Sequence, residues 1–338
     1  MVAILLFLLL ISIAAAGIYI GYGQYQSVFN NALISDKTAA NVFAEILRER
    51  QRATIGILQS YASRPLLVQA VKRRDASAIL KHMEDLKRNN REMDLTFMTD
   101  EKGILLANYP AFPEAIGQDL SDRDWYKRIS EGWKPSVSNV FQLIVGDKPL
   151  AVAVAVPIFN EKGDVIGILA NSQRIGFIDD VVKRLDLNPQ QAVTVIDRSG
   201  QIVYSNKYDY AKQITVYPLY SFIDQGAMKG EAIFGTGGSW DQFGKGYIAI
   251  SSLKTSGWMV IAERTYKDIL KSVSGRLIQL LVIALLLFSL ITAMIIYNSS
   301  LERKAVALSE SEGQYRAFFK SKAVGTSQIG MDGHFLEV

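Results

Sequence analysis

Two long apolar runs bracket residues 36–276, and that arrangement constrains this chain more than any other feature of it. The run Leu277–Tyr297 reads LIQLLVIALLLFSLITAMIIY, with only Gln279, Ser289 and Thr292 as polar interruptions. As a helix rising about 1.5 Å per residue, it crosses a hydrocarbon core of about 30 Å. Met1–Tyr22 is comparable: nearly continuous Leu, Ile, Ala, Val and Phe, with no charge before Asp36. Ala14-Ala15-Ala16 also suits signal-peptide cleavage, but a basic flank is missing and the apolar run continues past the alanines, which favours a retained anchor. Arg303 and Lys304 follow the second span while Lys267, Lys271 and Arg276 precede it, so the positive-inside rule orients the pair only weakly. We expect a two-pass protein of the cell (inner) membrane, both termini cytoplasmic and residues 36–276 extracytoplasmic.

Composition then removes several chemistries. The 338 residues include no cysteine, and the two histidines, His82 and His334, are far apart, which argues against disulfides, thiolate nucleophiles, a metal centre or a histidine-based triad. A balance of 37 Lys+Arg against 33 Asp+Glu does not call for nucleic acid. Gly235-Thr-Gly-Gly-Ser lacks the lysine of a phosphate loop, and no paired carboxylates stand out. No cofactor, metal or catalytic residue is expected in the outer part.

Within that part the hydrophobic period changes once. Residues 36–61 repeat apolar positions at helical spacing, Asp36 can cap the start, and Ser63-Arg64-Pro65 ends or kinks the helix. A second helical stretch covers roughly 66–90, giving a long helical region over 36–90. From Leu95 the pattern is that of strands, and a phrase recurs. Leu95–Asn108 (LTFMTDEKGILLAN) is echoed by Val193–Asn206 (VTVIDRSGQIVYSN): apolar strand, Asp-x-x-Gly turn, apolar strand, Asn. A third hairpin turns through Asn160–Asp164, and GEAIFGT, GKGYIAISSL and GWMVIAERT supply later strands. The offset from Asp100 to Asp197 predicts two tandem antiparallel α+β modules, 91–190 and 191–270, with five strands each as the natural count.

These features, with Gly117-Gln-Asp-Leu-Ser-Asp-Arg123-Asp-Trp125-Tyr126, Pro157 ending a strand and Gly257-Trp258 opening the last one, resemble the double Cache sensor domain. The resemblance covers about residues 36–270. It implies two PAS-like modules on a long helix, the first distal to the membrane and the second proximal, as in chemoreceptors, histidine kinases and cyclic-di-nucleotide enzymes.

Arg-x-Trp-Tyr is its most specific part. An arginine fork matches a carboxylate bidentately, worth roughly 1.5–3 kcal/mol when sheltered, and Trp125 and Tyr126 would exclude water. Alternatively both rings are core and Arg123 pairs with Asp122 or Asp124. In amino-acid-binding members the clamp is joined, as the resemblance implies, by two tyrosines and an aspartate. Here those positions fall near Gln118, Phe141 and Ser172, the last flanked by Asn171 and Gln173. Without the aspartate an α-ammonium has no charge partner, so a small carboxylate lacking the amine is expected. Lys148 is a candidate second cation. The ligand residues are then Arg123, Trp125, Tyr126, Phe141, Lys148 and Ser172. A second aromatic cluster (Tyr204, Tyr208, Tyr210, Tyr217, Tyr220, Phe222, Trp240, Phe243, Tyr247) reads as packing in the second module.

After Tyr297, Leu301, Ala305, Leu308, Glu312, Tyr315 and Phe319 step by four and three, a coiled-coil seam flawed at Glu312, placed in a linker over 298–313. Residues 314–338 resemble the opening of a PAS domain, so an output domain is expected beyond Val338. The resulting expectation is a homodimeric transmembrane receptor signalling to a histidine kinase or diguanylate cyclase. The alternative is a membrane-anchored ligand-binding protein or hydrolase without signalling output.

Overall fold

The computed structural model describes residues 2–183, 191–221, 223, 233–235, 246–321, 328–329 and 335–336. The chain divides into two compact units, Tyr25–Ser272 and, separately, Met1–Gln24 with Val273–Val338.

Helix α1 runs without a break over Val2–Ala62. The helical region anticipated over 36–90 therefore begins far earlier; it breaks at Pro65 as expected and once more, unexpectedly, before Ala76. Pro65 cannot continue α1, Arg64 before it is extended (φ −66°, ψ 124°), and α2 (Pro65–Lys72) starts on the proline. Arg74 then takes a left-handed φ of +54°, and Asp75 caps α3 (Ala76–Asn89) by accepting from the Ala78 amide at 3.0 Å. An amphipathic period alone does not reveal that cap, so 66–90 reads as one helix in sequence and is two in the fold.

Asp36, expected as a helix cap, lies inside α1, where no free amide needs it. Its buried carboxylate instead accepts from Arg264 Nε (2.9 Å) and Nη2 (2.7 Å), Tyr247 Oη (2.6 Å) and Gln191 Nε2 (2.7 Å). The bidentate pair is fully satisfied, and removing either partner costs about 3–5 kcal/mol. It ties α1 to the second module.

The first module holds β1 (Leu95–Thr99), β2 (Leu105–Tyr109), α4 (Asp124–Ser130), β3 (Ser136–Val137), β4 (Phe141–Gln142), β5 (Leu150–Phe159), β6 (Val165–Arg174) and α5 (Phe177–Lys183). Its six-stranded sheet has the order β2-β1-β6-β5-β3, with β4 also paired to β5, one strand beyond the expected five. The second module holds β7 (Ala192–Ile196), β8 (Ile202–Ser205), β9 (Ile233–Gly235), β10 (Gly246–Leu253) and β11 (Trp258–Thr265) in the order β8-β7-β11-β10-β9. Central strands are matched: β1-β6-β5 in one module corresponds to β7-β11-β10 in the other, all antiparallel. In both hairpins the aspartate turns the chain as expected. Asp100 Oδ1 accepts from the Lys102 and Ile104 amides, Asp197 Oδ1 from those of Ser199 and Gln201, and Gly103 and Gly200 take φ of +91° and +78°. Pro157 does not end β5. It pairs with Ile168, and the strand runs on to Phe159.

Helix α6 (Tyr266–Ser321) follows β11 and from Val273 onward belongs to the other unit; it continues through 298–313, where Leu301 and Leu308 are exposed, and β12 (Gln328–Ile329) pairs with β13 (Phe335–Leu336). Among the described residues one stretch, Leu281–Lys320, is long and apolar enough to cross a membrane. The expected first span, 1–22, lies at the start of α1. Residues 322–327, 330–334 and 337–338 of the PAS-like segment lie outside the described residues.

Candidate ligand-binding site

Strand alternation puts Leu95 and Phe97 on one face of β1, and the antiparallel register sets Ser172 of β6 directly opposite Leu95. The chain then leaves β2 and returns over this face through Leu120 and Arg123 into α4, while β4 and the following loop close the side. Together they enclose a cavity of about 40 Å³, lined by Leu95, Phe97, Leu105, Asn108, Ala115, Leu120, Arg123, Trp125, Phe141, Gln142, Leu143, Ile144, Val145 and Ser172. Among the described residues no Asp or Glu contributes to this wall.

Arg123 occupies the N-cap position of α4 with an extended backbone (φ −71°, ψ 142°), which turns its side chain to the cavity instead of along the helix. Its side chain is 29% exposed, and the nearest carboxylate, Asp122, lies 3.9 Å from Nε, beyond hydrogen-bonding distance. Trp125 is buried in the wall, edge-on to Phe97 at 5.3 Å between centroids. Phe141 and Ser172 also line the cavity.

Two expected contacts are not there. Tyr126 follows Trp125 on α4, so a rotation of about 100° carries it away from the point Trp125 faces. Its hydroxyl donates to the Glu101 carbonyl at 2.9 Å, its ring lies against Gly103, and burial raises the phenol's pKa, helped by the charges of Asp100, Asp119 and Glu101. Lys148 is exposed in the turn before β5 with φ of +52°, and its carbonyl accepts from Gln142 Nε2 at 3.1 Å. Gln118 is likewise on the surface, its amide reaching the Glu114 carbonyl. Sequence reasoning missed Phe97 and Asn108, although both belong to the repeated hairpin phrase. Asn108 clasps the loop that follows, accepting from the Phe112 amide (2.6 Å) and donating to its carbonyl (3.2 Å).

The cavity wall is bonded to the second module. Between Arg123 and Phe141, the Asp124 carboxylate accepts from the Asn139 amide (3.0 Å), the Val140 amide donates to Asp197 Oδ2 (2.8 Å), and Asn139 Nδ2 donates to Ser199 Oγ (2.7 Å). Arg198 donates to the carbonyls of Val137 (2.8 Å) and Ser256 (2.8 Å), and its burial lowers the guanidinium's pKa. Trp258 Nε1 donates to the Ser138 carbonyl (3.2 Å). The second module's hairpin thus grips the segment that bears Phe141.

Of the second aromatic cluster, Tyr208 and Tyr217 donate to Glu263 Oε2 (3.3 and 3.0 Å), Tyr210 to Asp179 (3.4 Å) and Tyr220 to the Arg198 carbonyl (2.6 Å). Burial raises the Tyr217 phenol well above its ordinary value. Phe222, Trp240 and Phe243 lie outside the described residues.

No curated protein matches the sequence. Among solved structures, the periplasmic sensory domain of the Campylobacter jejuni chemoreceptor Tlp1 is similar at 14% identity and TM-score 0.56, covering 72% of this chain and 98% of its own. The ligand-binding domain of the Pseudomonas aeruginosa amino acid chemoreceptor PctB, in complex with L-Gln, aligns at 11% identity and TM-score 0.54 over 71% of this chain and 92% of its own. That of the Pseudomonas fluorescens chemoreceptor CtaA, in complex with L-isoleucine, aligns at 11% identity and TM-score 0.52 over 73% and 96%. A Cache domain family model matches residues 25–273, which contain both sheets and the cavity, and the chain belongs to the double Cache family of extracellular sensor domains of membrane receptors.

Proposed function

We propose that the chain is the sensor part of a two-pass, homodimeric transmembrane receptor whose first module binds a small carboxylate lacking an α-ammonium. The observation that carries this reading is charge: among the described residues Arg123 is the one ionised side chain on the cavity wall, and its nearest carboxylate, Asp122, lies beyond hydrogen-bonding distance. A carboxylate entering there gains a fork of donors in a setting sheltered by Trp125 and Phe141. An amino acid would bring an ammonium that finds no counter-charge, and the cost of desolvating it would offset the gain. PctB and CtaA were solved with amino acids, so this chain would depart from them in ligand class.

Transmission requires the ligand to prefer one of two states. Closing Arg123 and Phe141 on a ligand would pull on the segment 137–140, and the bonds from that segment to Asp197, Arg198, Ser199 and Trp258 supply a route into the second module, whose last strand leads into α6. The effector we infer is a histidine kinase or diguanylate cyclase. Exposed Ile34 and Val42 on α1 support a homodimer, since a partner helix would cover them.

The test is thermal. Residues 25–273, expressed alone, are expected to melt cooperatively and to rise in Tm with a short carboxylate. At a hundred times Kd that stabilisation is about 2.7 kcal/mol. Arg123→Ala should remove the rise and leave the ligand-free melt within about 1 kcal/mol of wild type, because its one ion-pair contact is long and half-exposed. Equal shifts in both proteins would end the proposal.

A further inference from the structure

We infer that the ligand is a short acid carrying a second oxygen beside its carboxylate, a 2-hydroxy or 2-oxo acid, and that Ser172 selects it. The inference rests on the carboxylate reading of the cavity and adds to it the identity of the rest of the molecule.

Ser172 is 1% exposed, lines the cavity, and its Oγ has no hydrogen-bond partner among the described residues. Several other buried hydroxyls of the two modules are engaged. Ser138 Oγ accepts from the Ala153 amide and donates to the Asn139 carbonyl, Ser205 Oγ pairs with Thr194 Oγ1, and Thr96 Oγ1 donates to the Tyr109 carbonyl. A native interior leaves few such groups unpaired, and at a cavity wall a ligand can supply the partner. Asn171 Oδ1 is also unpartnered, but strand alternation turns that residue to the opposite face of β6.

The other polar groups of the wall are committed or differently suited. Asn108 spends both ends of its amide on Phe112, and Gln142 donates to the Lys148 carbonyl. That leaves a cation, Arg123, and a neutral hydroxyl that can donate or accept. The first suits a carboxylate, the second an alcohol or a carbonyl oxygen. A cavity of about 40 Å³ favours the smallest acids, in which the second oxygen is close to the first pair. A plain alkanoate of the same length would bury Ser172 Oγ against methylene, and a site built around a hydroxyl discriminates against the analogue that lacks one.

The experiment titrates the full chain in detergent micelles calorimetrically with three acids of one length: propanoate, 2-hydroxypropanoate and alanine. The wild type is expected to bind 2-hydroxypropanoate about tenfold more tightly than propanoate, and alanine most weakly. Ser172→Ala should erase the difference between the first two while Arg123→Ala abolishes both. Its ligand-free melt should be unchanged or slightly raised, since the hydroxyl removed has no partner to lose. Equal affinity for propanoate and 2-hydroxypropanoate in the wild type, or a preference that survives in Ser172→Ala, overturns the inference and leaves the carboxylate clamp standing. Binding that Arg123→Ala does not reduce, or no binding by any of the three acids, overturns the clamp and the inference with it.

Discussion

The two modules answer the same sheet position in opposite ways. Leu95 opens β1 opposite Ser172, and Ala192 opens β7 opposite Glu263, so Ser172 and Glu263 are equivalent residues of equivalent strands. In the second module that position is filled from within: Glu263, 6% exposed, accepts from Tyr208 and Tyr217 and pairs with Lys207 Nζ at 3.1 Å. In the first, a serine stands there with no partner, beside a cavity. One repeat has turned the site into structure, and the other has left it open. A carboxylate at this position demands donors and a cation, which Tyr208, Tyr217 and Lys207 supply in the second module.

The contrast predicts opposite costs. Glu263→Ala removes the acceptor of one buried and one half-buried tyrosine hydroxyl and the partner of a lysine, and should cost about 3–5 kcal/mol, a Tm loss on the order of 10 °C for a domain of this size. Ser172→Ala should stay within about 0.5 kcal/mol. Comparable losses at the two positions would show that the equivalence of the strands does not extend to how their sites are filled.

Exchanging the residues sharpens the point. Ser172→Asp places a carboxylate across the cavity from Arg123 and gives a ligand ammonium the counter-charge it now lacks. Alanine should then bind at least about tenfold more tightly than to the wild type, while 2-hydroxypropanoate loses affinity to like-charge repulsion. Calorimetric titration of both acids reads the reversal. An unchanged order of affinities would mean that position 172 does not face the ligand's second carbon.

Tyr217→Phe tests the filled site more gently. One hydrogen bond to an ionised acceptor is lost and Tyr208 remains, so a cost of about 1.5–3 kcal/mol is expected in a denaturant midpoint shift. A neutral substitution would identify the pair of Lys207 with Glu263 as sufficient by itself.

Much of this contrast was legible in the sequence where the chemistry is local. An Asp-x-x-Gly turn declares itself because the aspartate bonds amides two and four residues on, which is why the repeat could be read from Asp100 and Asp197. Ser172 was found through the resemblance, as the place where an expected aspartate is missing. Side-chain direction was not legible: Trp125 and Tyr126 look equivalent in a string of letters, and one helical step separates the cavity from the back of α4. Long-range pairing was also hidden. Asp36 looks like a helix cap until Gln191, Tyr247 and Arg264, 155 to 228 positions later, converge on it. Lys148 failed for a third reason, since the left-handed turn that directs it outward depends on how β4 pairs with β5.

The smallest expected effect concerns the two hairpin aspartates. Asp100 keeps Oδ1 for its own turn and has Arg74 at 3.8 Å from Oδ2, whereas Asp197 gives Oδ2 to the Val140 amide of the other module. Burial pushes the Asp197 carboxyl above its ordinary range, against the opposing pull of the Val140, Gln201 and Ser199 amides and of Arg198. The sign follows from proton binding. Above the unfolded pKa of about 3.9 and below the raised folded value, the folded chain holds a proton that the unfolded chain has released. This contribution to stability is therefore complete below the unfolded pKa and is lost as pH rises through the folded one. Asp197→Asn carries no such proton, and its amide adds an offset that does not vary with pH. The stability of wild type relative to Asp197→Asn should accordingly fall as pH is raised from below 4 and then level off, in melts recorded on residues 25–273. A relative stability that climbs with pH would mean that the amides of Val140, Gln201 and Ser199 and the charge of Arg198 outweigh burial at Asp197.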